Sequence, residues 1–117
     1  MQELERALAG NPDTIFILAH RSDLEMMKRH PNLWGEVGCH RWSPSYGEAG
    51  SLSDRIVVGT DFSDPSVKIR DKHGHKTPQR AYAETIACIR KELGRLQPAA
   101  AKKVAYENLQ KLLTRQD

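Results

Sequence analysis

The sequence predicts an α/β fold, three parallel strands with flanking helices. Three observations predict it. Short apolar runs near 14–20, 33–39 and 55–61 are separated by helix-like segments or long crossovers, as a parallel sheet requires. The run Ile56-Val57-Val58 is β-branched without polar alternation, the pattern of a strand covered on both faces. Each run ends at an ionisable residue: His20, His40 and Asp61. Parallel strands share one direction, so these residues fall along one rim, the edge where parallel α/β folds build their sites.

Taken in order, residues 2–9 read as a short helix with Leu4 and Leu8 on one face, stopped by Gly10-Asn11-Pro12-Asp13. The first strand follows and ends on His20. Ser22 is expected to cap a helix over 23–29, closed by His30-Pro31-Asn32. The second strand contains Gly35 and Gly38 and ends near His40-Arg41. A loop with Pro44, Gly47 and Gly50 leads to the third strand, and a long polar loop is expected over 63–77. Pro78 opens a helix over 78–94, with Ala81, Ile86, Ile89 and Leu93 near helical spacing. Pro98 opens the last helix, 98–113, whose apolar stripe is Val104, Leu109, Leu112 and Leu113. Met26 and Met27 read as core filler. Trp34 and Trp42 either pack helices on the sheet or line a pocket.

With 117 residues there is room for one domain or a piece of one. Aromatic content of 6% argues against a large self-contained core. A formal charge of +3 is too modest to imply nucleic acid. No apolar run approaches the roughly 18 residues of a membrane span, and no basic-then-apolar start marks export. Cys39 and Cys88 form no CxxC pair and have no evident base partner. Without an export signal, they read as free thiols in a cytoplasmic protein.

Histidine and aspartate both bind first-row metals and suit zinc. A metal-bound water loses its proton near neutral pH and becomes a nucleophile. A carboxylate can take that proton, and a histidine can polarise or protonate the substrate. Asp61 is the first candidate on these grounds, with a cap or turn role feeding Ser63-Asp64-Pro65 as the alternative. Catalytic zinc usually has three protein ligands, so His20 and Asp61 do not by themselves define a centre.

Four segments carry a resemblance: Thr14-Ile-Phe-Ile-Leu-Ala-His20, His30-Pro-Asn-Leu-Trp34, Asp54-Arg-Ile-Val-Val-Gly-Thr-Asp61 and Ala105-Tyr-Glu-Asn-Leu-Gln-Lys-Leu-Leu113. Their order resembles the C-terminal part of the amidohydrolase-related family of metal-dependent (β/α)8-barrel hydrolases. The resemblance implies a partial (β/α)8 (TIM-type) barrel over 1–117, its three strands being the sixth to eighth of the full fold. It implies a divalent metal ion, zinc foremost, and a small-molecule substrate hydrolysed at a C–N or C–O bond, or decarboxylated. His20 would be a metal ligand or catalytic group, and Asp61 would bind the metal and move the water proton. The family's first-strand His-x-His pair and fifth-strand ligand have no counterpart in this sequence. The resemblance therefore implies about half a site, and either a homo-oligomer or a partner supplying the N-terminal half of the barrel.

His40 and Arg41 are further substrate-binding candidates, with strand-end packing as the alternative for His40. His73-Gly74-His75 imitates a ligand pair but falls in a basic loop with Lys68, Arg70, Lys72 and Lys76, which reads as solvated or as a lure for an anionic substrate. His30, before Pro31 at a helix end, reads as structural. Two other readings stay open. One is an inactive barrel remnant that associates through its sheet edges, and the other is a small α/β domain binding an anion at the basic loop.

Overall fold

A computed structural model describes residues 2–19, 23–38, 50–60, 70–71, 74–75 and 78–115. Helix α1 (Gln2–Gly10) leads to strand β1 (Phe16–Leu18), helix α2 (Leu24–Arg29) and strand β2 (Leu33–Val37). A 3-10 turn (Gly50–Arg55) feeds strand β3 (Ile56–Val58). Two-residue strands β4 (Arg70–Asp71) and β5 (Gly74–His75) follow, then helix α3 (Pro78–Leu93). The chain ends in α4 (Pro98–Lys102), a π-helical turn (Lys103–Glu107) and α5 (Asn108–Leu113).

Strands β1, β2 and β3 form an open parallel sheet in that order, with helices flanking it. The expected α/β class and parallel order hold. Phe16 pairs with Leu33, Leu18 with Gly35, Gly35 with Ile56, and Val37 with Val58. Strand alternation therefore puts Phe16, Leu18, Leu33, Val37, Ile56 and Val58 on one face. That face closes the core with Leu8, Met26, Met27, Leu52 and Val104. Met26 and Met27 are buried, as expected. The opposite face carries Ile17, Trp34, Glu36 and Val57.

Four details differ from the sequence reading. Asp23, one residue after the expected Ser22, caps α2: its Oδ1 accepts from the Met26 N–H at 2.9 Å. Strand β1 is open on one face, where Ile17 is 46% exposed, although its apolar run resembles that of β3. The expected polar loop over 63–77 contains the antiparallel β4–β5 pair. The last helix buries only part of the predicted stripe, with Leu112 half-buried. Val104 and Asn108 are buried, whereas Leu109 and Leu113 are exposed. A π turn holds more residues per turn than an α-helix, so residues before and after it do not share one 3.6-residue period.

Candidate functional site

The sheet aligns the carboxyl ends of its strands, as the sequence implied. Leu18, Val37 and Val58 close β1, β2 and β3. The Gly59 N–H donates to the Val37 carbonyl at 3.1 Å, carrying the β2–β3 pairing one step past the strands. The two chains run close there. A Cβ on Gly38 would stand 3.3 Å from the Gly59 carbonyl oxygen.

Glu36 is a rim group that was not singled out from the sequence. It pairs in register with Val57, yet its carboxylate reaches across β3 toward the carboxyl edge. Its Oε1 fills the space a side chain on Gly59 would occupy, and its Cδ lies 2.9 Å from that Cβ position. The half-buried glutamate shares its face with Ile17, Trp34 and Val57, all apolar. The sequence signal was present: one charged residue inside an otherwise apolar strand, in step with Gly38 and His40.

His20, Asp61, His40, Arg41 and His73 lie outside the described residues. His75 is described only through its backbone, which pairs with Arg70 in β5. Among the described residues, no three histidine, cysteine, aspartate or glutamate side chains gather around a possible metal position.

The motif residues that are described hold the scaffold. Asn32, from His-Pro-Asn-Leu-Trp, is buried and its Nδ2 donates to Leu8 O at 3.1 Å and Asn11 O at 3.0 Å, tying the end of α1 to the start of β2. Arg55 Nη1 donates to His30 O at 2.9 Å and Leu33 O at 3.0 Å. Burial lowers the Arg55 pKa, and neighbouring Asp54 partly offsets this. Asn108 Nδ2 donates to Ser53 O at 2.6 Å and Ile56 O at 2.7 Å, while Lys103 pairs with Asp54 at 2.5 Å. These contacts fix where β3 begins, and hence where its carboxyl end points.

At the opposite, amino-terminal side of the sheet, Glu5 accepts from Arg29 Nη2 at 2.6 Å, and its Oε1 lies 3.8 Å from His30 Nε2. The Arg29 hydrogen bond is the main reason the Glu5 carboxyl titrates below its usual range. His30 thus joins α1 to α2, in keeping with a structural role.

One expectation is corrected. Cys88 is disulfide-bonded and therefore not a free thiol. Disulfides persist mainly in oxidising compartments, so free cysteines no longer support a cytoplasmic location. Among the described residues, no helix is long and apolar enough to cross a membrane.

No family model, curated protein or solved structure matches this sequence. The likeness to the amidohydrolase-related family rests on the motif residues alone.

Proposed function

We propose that this chain is the C-terminal part of a metal-dependent hydrolase of the amidohydrolase-related type. It would form one side of a partial (β/α)8 barrel and act on a small-molecule C–N or C–O bond, with decarboxylation as the related branch. The observation that supports this most is the parallel register of β1, β2 and β3, which sets three adjacent carboxyl ends in line. Two of the strands lead directly to His20 and Asp61 in sequence. When bound, the metal ion, zinc foremost, would supply an acidified water. Asp61 and His20 would hold it, Asp61 would take the proton of that water, and His20 would polarise the substrate. His40, Arg41, His73 and His75 are the proposed substrate contacts. The remaining ligands would come from the N-terminal half of the barrel or from a second copy of the chain.

The decisive experiment is Asp61→Asn in the complete enzyme. Loss of turnover by at least about a thousandfold is expected for a group that both holds the metal and moves its proton. Activity within a few-fold of the parent would reject the assignment.

A second reading is favoured by one observation: Ile17 is exposed on edge strand β1. An open parallel edge is a pairing surface, so the chain would act as an association module without catalysis of its own.

A further inference from the structure

We propose that Cys39 and Cys88 form a redox-sensitive strap: their disulfide fastens helix α3 to the chain leaving β2, and reduction by a dithiol releases the amino-terminal half of that helix while the sheet stays folded. The inference is independent of the hydrolase reading. Three observations carry it.

The first is the cysteine count. The chain holds two cysteines, Cys39 and Cys88, and Cys88 is disulfide-bonded. Its partner within the chain is therefore Cys39, which lies outside the described residues and directly follows Gly38. The strap thus starts one residue beyond the point where the ends of β2 and β3 run close together.

The second is the way α3 is anchored. Among its described residues, Ile89 is the one that is buried. Leu93, at the end of the helix, and Leu96, just past it, pack against the core. Toward the other end Tyr82, Ala83 and Glu84 are exposed. Apolar packing therefore holds the helix by its carboxyl end, and Cys88 stands where that packing stops.

The third is what the core leaves out. The buried members of the core cluster come from α1, α2, β2, β3, the 3-10 turn and the π turn, and none comes from α3. Cutting the strap removes no buried member of that cluster. Elements with few buried apolar contacts open at lower free energy than the core they flank, so the release is local.

Cys88 is half-buried rather than enclosed, which leaves its side of the helix open to a small dithiol. A dithiol thiolate attacks one bridge sulfur, forming a mixed disulfide and expelling the other cysteine as a thiolate that takes up a proton. The second thiol of the reagent then displaces the first cysteine. Two electrons pass to the protein, and the reagent leaves as a cyclic disulfide.

The experiment compares the oxidised chain, the same chain treated with dithiothreitol, and the variants Cys88→Ser and Cys39→Ser. Non-reducing peptide mapping should find residues 39 and 88 on one linked pair within a monomer, with no thiol open to labelling. Amide hydrogen exchange then locates the effect. Reduction should speed exchange over residues 82–87 by about tenfold or more, leaving β2 and β3 as the slow-exchanging segments. Reoxidation should restore protection, and each serine variant should match the reduced parent and ignore dithiothreitol. A labelled thiol in the untreated chain, or a linkage between two copies, would overturn the strap. Equal protection of residues 82–87 in both states would overturn the release. Loss of protection spread evenly over sheet and helix would make the bridge a staple of the whole fold and would also overturn it. The parent treated with dithiothreitol decides the matter even where a serine variant fails to fold.

Discussion

At the scale of single residues, the contacts with the largest consequences are amides and guanidinium groups that satisfy buried backbone carbonyls. Asn108 is 4% exposed and bonds two carbonyls, one from the 3-10 turn and one from β3. Asn108→Ala leaves both without that donor. Urea unfolding should show a loss of about 2–4 kcal/mol, since each stranded buried acceptor costs about 1–3 kcal/mol and partial rehydration returns some of it. Glu5 offers a titration test. Its folded-state pKa is lowered by the Arg29 hydrogen bond, so its contribution is present above the ordinary carboxylate value and is lost as pH falls through the lowered one. The urea midpoint should drop as pH falls below the ordinary carboxylate range, and Glu5→Gln should remove part of that drop. An unchanged acid limb in Glu5→Gln would show that the Glu5–Arg29 tie contributes nothing measurable. His20, His40 and Asp61 were legible as candidates because strand ends mark themselves in sequence. Glu36 was less legible: its carboxylate reaches across to Gly59, and sequence shows strand membership but not reach.

At the scale of elements, the three strands were readable because β-branched and apolar runs bounded by turn signals have few alternatives. Coverage was not readable. Ile56-Val57-Val58 and Phe16-Ile17-Leu18 look equally buried in sequence, but β2 covers one edge of each and the other edge depends on what lies beyond. Ile17 records the difference, being the exposed member of β1. If that edge drives association, Ile17→Lys should lower the weight-average mass seen by light scattering at high concentration. Its exposed position should keep the change in unfolding free energy within about 0.5 kcal/mol. An unchanged mass distribution in a parent that self-associates would show that β1 is not the contact. The last helix was misread for a physical reason: the π turn over Lys103–Glu107 breaks the single period on which the Leu109 and Leu113 assignments depended. The same turn brings Val104, Lys103 and Asn108 onto β3 and the turn before it.

At the scale of the whole molecule, one apolar cluster joins α1, α2, all three parallel strands, the 3-10 turn and the π turn. The polar ties follow the same plan, with Asn32 at the α1–β2 junction, Arg55 at the entrance to β3 and Asn108 beneath it. The segments around Asn32, Arg55 and Asn108 are thus segments that fix strand position. A motif can be read from sequence without revealing which of its members hold the frame and which do the chemistry. Burial and hydrogen bonding separate the two for Asn32, Arg55 and Asn108.

The two ends of this frame are also stitched together: Arg115 Nη2 donates to the Asp13 carbonyl at 3.0 Å, across 102 positions of sequence. Asp13 precedes β1, so the stitch lies at the amino-terminal side of the sheet, away from Gly38 and Gly59. A reporter or tether placed just after Arg115 would leave from that side, away from the Gly38–Gly59 end of the sheet.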